Sequence, residues 1–268
     1  THKLLGSLTQ SSMLLARGGR VPTERIRAAS GIIQTTSPNE ILLASLDLAR
    51  VQMAEEGAER LAAAIQCAHD LRRRINEITG LWAFGAEHMG APGMAALDPL
   101  KITVQVTGLG LSGFAAEEEL RRRGVAVELA DARNVLLLLS YADGAREAER
   151  VYAALRDMAA TCAPICTSRG AAAFLSLPPI PQMGMEPRAA YFAPRERVPV
   201  DAAEGWIAAE TIVFYPPGIP VLAAGDVIDE ATLSYLSAMK AAGARVVGAA
   251  DTSLRTLLVI AEGSYGKG

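Results

Sequence analysis

Asp98-Pro-Leu-Lys-Ile-Thr-Val-Gln-Val-Thr-Gly-Leu-Gly-Leu-Ser-Gly113 marks the point where the chain changes texture. Before it the residues read as helix; after it strands and helices alternate. Residues 101–106 read as a strand. Residues 114–123 follow as a helix, 125–129 and 135–140 as strands, and 145–160 as a second helix. Together they predict a small α/β layer of the β-α-β-β-α kind.

Within that stretch, Gly108-Leu-Gly110-Leu-Ser-Gly113 matches G-x-G-x-x-G, with Glu128 and Asp131 after the next strand. On pattern this is a dinucleotide-binding fingerprint and would make the chain an NAD-binding oxidoreductase. Two features weigh against it. The unit lies mid-chain after a long helical region, and the strands at 125–129 and 135–140 are joined by a short turn, which predicts a hairpin and not a second βαβ crossover. A glycine-rich strand-to-helix turn is the favoured reading.

Working outward toward the N-terminus, residues 7–17 read as a short helix carrying Leu8, Met13, Leu14 and Leu15. Pro22-Thr23 opens another helix, with Ile26 and Ile32 on it. Ser37 reads as an N-cap, Pro38 as the first helical residue and Glu40 as the capping-box partner. The amphipathic stretch they open runs to residue 79 and breaks near Gly57. Residues 80–97 are rich in Gly and Met and read as irregular. Toward the C-terminus, residues 163–200 hold Pro178-Pro179 and Pro181 and read as connecting structure. Tyr215-Pro-Pro-Gly-Ile-Pro220 reads as a rigid turn. Residues 230–241 read as a helix, with strands at 245–249 and 256–260.

Half of the 268 residues are hydrophobic, enough for more than one core, and the net charge of −3 is spread evenly. That distribution gives no electrostatic reason to expect nucleic acid or an anionic membrane as a partner. Arg72-Arg73-Arg74 and Arg121-Arg122-Arg123 read as solvated helix ends, where cations complement the dipole. Three cysteines make no disulfide framework and fit a reducing, cytoplasmic setting. Cys162 and Cys166, with His69 or His88, form no second closely spaced pair, so the cysteines read as small buried hydrophobes and no metal is expected. No apolar run approaches a membrane span.

Lys3 follows His2 and precedes an apolar turn, a setting suited to a lysine that forms an imine with a carbonyl cofactor. The ordered set Thr1-His2-Lys3, Gln34-Thr35-Thr36-Ser37-Pro38, Asp98-Pro99-Leu100-Lys101 and Tyr215-Pro216-Pro217-Gly218-Ile219-Pro220 resembles the Orn/Lys/Arg decarboxylase family of fold-type-I pyridoxal phosphate enzymes. Leu8-Thr9-Gln10, Ser45-Leu46-Asp47, Pro187-Arg188-Ala189 and Ala209-Glu210 add to it, in the family's order along nearly the whole chain. The chain departs from the family's usual residues at Leu4 and Gly6, which stand for Thr and Pro, at Glu40, at Trp206, and at Ala224 and Asp226.

The resemblance implies an α/β fold in three parts. Residues 1–97 would be the tail of a fold-type-I pyridoxal phosphate domain with its interface helices, 98–162 a small α/β domain, and 163–268 a C-terminal α/β decarboxylase domain. It implies Lys3 as the Schiff-base lysine with His2 near the cofactor, Thr36 and Ser37 on the cofactor phosphate, and Glu210 recognising a basic substrate. The implied activity is decarboxylation of arginine, lysine or ornithine to a polyamine or its precursor, by a homo-oligomer, at least a dimer with shared active sites. Because the family's cofactor domain lies mostly before the lysine, the chain reads as the C-terminal part of a longer polypeptide, expected to be inactive alone. A non-catalytic regulatory or assembly relative is the alternative within the same fold.

Overall fold

The computed structural model describes residues 1–162, 177–215 and 218–261. Among them the elements run in the order α1 (Thr23–Ile33), α2 (Glu40–Glu55), α3 (Gly57–Ile75), β1 (Trp82–Ala83), β2 (Lys101–Gln105), α4 (Gly113–Arg122), β3 (Leu129–Ala130), β4 (Asn134–Leu138) and α5 (Ala145–Thr161). Then come α6 (Pro187–Phe192), β5 (Arg195–Pro199), β6 (Ile212–Phe214), β7 (Ile219–Leu222), α7 (Glu230–Ala241), β8 (Val246–Val247) and β9 (Thr256–Ile260). The chain divides into two compact units, one of Thr1–Leu71, Asp98–Leu100 and Leu138–Glu149, the other of Arg72–Leu97, Lys101–Leu137 and Arg150–Gly268.

The first unit is helical. Ala49, Ala64, Ala68 and Leu71 are its buried apolar residues on α2 and α3. The expected helix over residues 7–17 does not form. Gly6 and Gln10 adopt left-handed backbone (φ 74° and 72°), and the Ser11 hydroxyl donates to Leu8 O. Local side-chain bonds of this kind compete with a helical ladder. The break near Gly57 is where expected, with Glu56 closing α2 and Gly57 opening α3.

The second unit carries a four-stranded sheet in the order β1-β2-β4-β3. Ile102, Val104 and Val106 are fully buried in its core. β1 pairs antiparallel with β2, and β3 with β4. Val106 N–H donates to Arg133 O and Leu139 N–H to Leu100 O, a register in which β2 and β4 are antiparallel too. The hairpin reading is therefore right, and the parallel crossover that a dinucleotide fingerprint needs is not present between these strands. Each glycine of the motif has a packing reason instead. A Cβ on Gly108 would lie 2.6 Å from Gly80 O, Gly110 has φ 72°, and a Cβ on Gly113 would lie 2.1 Å from Asn134 O. Asp131 is spent on the turn, where Oδ1 accepts the amides of Arg133 and Asn134.

Ser112 caps α4, its Oγ accepting Ala115 N–H. At the other end Gly124 (φ 75°) reverses the chain and Val125 N–H donates to Leu120 O, a Schellman closure. That closure uses the backbone expected to start a strand at 125, so β3 shrinks to two residues. Arg123 then joins α4 to α5. Its Nε donates to Asp157 Oδ2 at 2.7 Å, Nη1 to Glu119 Oε2 at 2.6 Å and to Glu119 O, and Nη2 to Thr161 Oγ1. The bond from Arg123 holds the Glu119 carboxyl below the ordinary glutamate range. Arg72 corrects the solvated-end reading of its run. It is 6% exposed and Nη2 donates to Lys101 O, with burial pulling its pKa below the ordinary guanidinium value while Glu87 opposes that shift.

Farther along the second unit, β7-β6-β8 and β5-β9 form two antiparallel sheets. Ile212, Phe214, Leu222, Leu236, Met239, Leu257 and Val259 are buried together between them and α7. Asp229 caps α7 by accepting Thr232 N–H at 2.7 Å. α7 and β9 lie where the sequence predicts, whereas α6 and β5 occupy a stretch expected to be connecting structure. Pro187 sits at the start of α6, where proline suits a helix, and Pro199 ends β5. β6 and β7 flank the Tyr215–Pro220 turn, of which Pro216 and Pro217 lie outside the described residues. So does Cys166; Cys67 and Cys162 are free and half-buried.

Asp251 folds the turn into β9 by accepting from the Ser253 hydroxyl and amide and from the Thr256 amide and hydroxyl, which hold its carboxyl well below the aspartate range. A depressed folded pKa stabilises above the unfolded value, about 3.9, and that contribution is lost as pH falls through the folded value. Asp251→Asn is expected to lower the Tm at neutral pH. The gap to wild type should narrow as pH is brought from about 5 to about 2, as followed by circular dichroism. A gap constant across that range would refute the assignment.

Candidate active site around Lys3

His2, Lys3 and Leu4 form a turn closed by Leu5 N–H donating to Thr1 O at 2.8 Å. Both His2 and Lys3 are exposed at its apex. The base is packed. Ser7 is 6% exposed and its hydroxyl donates to Thr1 Oγ1 at 2.7 Å. Leu8 N–H donates to Ser45 Oγ, fastening the segment to α2, and Ser45 Oγ in turn donates to Leu42 O. An amine and an imidazole are thus presented side by side on a braced loop.

Thr36 and Ser37 lie exposed in the connection between α1 and α2. The expected capping box is not formed. α2 begins at Glu40, and Asn39 is its cap, with Oδ1 accepting Ile41 N–H at 3.0 Å and Leu42 N–H at 3.2 Å. Asparagine caps at least as well as serine, and its position leaves Pro38 outside the helix. The Ser37 hydroxyl is therefore not spent on the cap; the Ser37 amide donates to Thr35 Oγ1. Two hydroxyls placed just before a sixteen-residue helix fit an anionic group, since the helix N-terminus favours negative charge.

Glu210 belongs to the second unit, whereas Lys3, His2, Thr36 and Ser37 all belong to the first. It is 7% exposed, with Oε2 accepting Ala250 N–H at 2.6 Å and Oε1 accepting Leu258 N–H at 2.8 Å. In this position the carboxylate ties β9 to the strand-connecting segment at 250. Sequence reasoning missed Gln52 and Tyr141, which meet beside Gly6 although 89 residues apart. No local spacing signals such a pair.

Asn39→Ala should lower helix stability by about 1 kcal/mol, visible as a fall in Tm, while Ser37→Ala leaves the Tm unchanged. The reverse order would restore Ser37 as the cap. Glu210→Gln turns one acceptor into an amide that faces a backbone N–H. A destabilisation of about 1–3 kcal/mol in urea unfolding is expected. An unchanged midpoint would show that the tie carries no stability.

The family profile described as "Orn/Lys/Arg decarboxylase, major domain" matches residues 1–147, and that for the C-terminal domain of the same family matches residues 169–252. The arginine decarboxylase of Halalkalibacterium halodurans is 40% identical over 97% of this chain and 53% of its own length. The arginine decarboxylase of Bacillus subtilis is 37% identical over the same shares. The crystal structure of the Francisella novicida lysine decarboxylase LdcF superposes with a TM-score of 0.77 at 19% identity, covering 97% of this chain and 48% of that one, a likeness of fold. The chain spans about half the length of the curated relatives it matches.

Proposed function

The chain belongs to the Orn/Lys/Arg decarboxylase family, and from that premise we propose that it forms part of a pyridoxal phosphate-dependent decarboxylase of a basic amino acid, with Lys3 as the lysine that carries the cofactor. The observation that carries the proposal is the exposed His2-Lys3 apex on its braced turn. The product would be a polyamine or its precursor, and relatives named arginine decarboxylase favour arginine among the basic substrates.

The side chains present suit pyridoxal phosphate. Lys3 brings a primary amine of the kind that condenses with its aldehyde, and two hydroxyls lie ahead of α2 for its phosphate. Bound there, the cofactor supplies a ring that accepts the electron pair left when the substrate loses carbon dioxide. The chain's own residues have simpler tasks. The braced turn limits where the Lys3 Nζ can reach. His2, one residue away, offers a ring nitrogen that takes or returns a proton. Thr36 and Ser37 donate to phosphate oxygens and orient the ring. Glu210 enters the proposal as the acidic residue facing a basic substrate on the strength of the resemblance, and in that role it acts with both oxygens already held by amides.

A homo-oligomer is part of the same reading. Leu14, Leu15, Ile32, Ile33, Ile41 and Leu48 are each 70% exposed or more, apolar side chains of the kind that partners cover. Residence in the cytoplasm is supported by the free thiols of Cys67 and Cys162.

The chain has four lysines, Lys3, Lys101, Lys240 and Lys267, so the assignment can be mapped. In the full-length protein with added pyridoxal phosphate, borohydride reduction followed by peptide mapping is expected to place the label on Lys3. Release of carbon dioxide from arginine, lysine or ornithine should fall by at least about 10²-fold in Lys3→Ala. Label on another lysine, or none, would overturn the assignment. Label on Lys3 without carbon dioxide release from any of the three substrates would favour the non-catalytic relative.

A further inference from the structure

We propose that Tyr141 is a positioning residue for Lys3, acting through Gly6 as a stop that fixes the turn bearing the amine. The proposal rests on the reading of Lys3 as the reactive lysine. Gly6 lies three residues after Lys3 and has φ 74°, in the left-handed region. A Cβ built there would lie 2.8 Å from the Tyr141 hydroxyl oxygen, and 3.8 Å from the nearest ring carbons. The phenol oxygen therefore lies against the backbone at Gly6, close enough that a side chain there would have to displace it. Proline, the family's usual residue at this point, locks φ near −65° and cannot adopt this backbone.

Tyr141 is itself held at both ends. Its hydroxyl donates to Gln52 Oε1 on α2 at 2.7 Å. Its backbone sits in a tight turn after β4, where Asp143 Oδ2 accepts the Ser140 amide at 2.7 Å and the Ser140 hydroxyl at 2.8 Å. The same helix fastens the other side of the segment through Ser45 and Leu8 N–H. Lys3 therefore stands on a loop clamped between α2 and the 140–143 turn, and the phenolic oxygen sets the fit at Gly6. All of these residues lie in the first unit.

The test is the chemical reactivity of Lys3 without cofactor. Trace acetylation of the full-length protein, read by peptide mapping, gives Lys3 relative to Lys101, Lys240 and Lys267. Gly6→Ala is expected to change the Lys3 ratio by about threefold or more, the rate equivalent of one net hydrogen bond, with the other lysines unaffected. In a Tyr141→Phe background the further effect of Gly6→Ala should be at most half as large, because the clash with the hydroxyl oxygen is gone and only the left-handed backbone at residue 6 still resists the methyl group. An unchanged ratio in Gly6→Ala, or an effect of Gly6→Ala as large in the Tyr141→Phe background as in wild type, would overturn the proposal. If Gly6→Ala does not fold, Tyr141→Phe and Gln52→Leu decide the matter. Each should shift the Lys3 ratio alone, and a ratio equal to wild type in both would refute the positioning role. Borohydride trapping remains a separate reading. Acetylation coupling without a trapped cofactor on Lys3 would end the decarboxylase assignment and leave the role of Tyr141 standing.

Discussion

At the start of α4 the backbone runs so close to the β3–β4 turn that residue 113 can carry nothing larger than hydrogen. Much of the small α/β layer follows from this contact. It seats the helix on the hairpin, and Asp131 must fold its turn tightly to present the two carbonyls that Gly113 meets. With α4 anchored there, its far end falls where the Schellman closure at Gly124 turns Val125 into the core. The same placement brings Arg123 against α5. A motif that on spacing alone could hold a dinucleotide is here occupied by protein backbone.

Strong periodicity was legible in the residues. α7 and β9 have the expected bounds, and the strand expected over residues 101–106 forms as β2. Elements defined by long-range pairing were not legible. β5 gains its identity from β9, about sixty residues away in a ladder running from Arg195 to Pro199, and nothing in Arg-Glu-Arg-Val-Pro marks it as a strand by itself. Residues 7–17 failed in the other direction. Their leucines suit a helix, yet Gly6 and Gln10 commit the backbone to left-handed geometry and the Ser11 hydroxyl takes up the Leu8 carbonyl.

The candidate site was legible in part. Lys3 with His2, and Thr36 with Ser37, stand on exposed segments suited to the chemistry implied by the resemblance. Their support was hidden. Ser37 looked fully explained as a cap, and only the structure assigns that task to Asn39 and leaves the hydroxyl available. Glu210, which the resemblance implies recognises a basic substrate, is tied to two amides from separate segments. In both cases the decisive fact is which partner a polar side chain finds, and partner choice depends on packing that a local pattern does not encode.

The Arg121-Arg122-Arg123 run looks like one cationic block, but its members are held to different standards. Arg121 and Arg122 are exposed and pair with glutamates on their own helix, where a lysine would serve nearly as well. Arg123 uses all three guanidinium nitrogens, reaching two carboxylates, a backbone carbonyl and a hydroxyl across two helices. A single ammonium cannot span that geometry. Exchange of arginine for lysine, conservative by charge at the first two positions, becomes at the third a change of shape. Tolerance along the run is governed by reach.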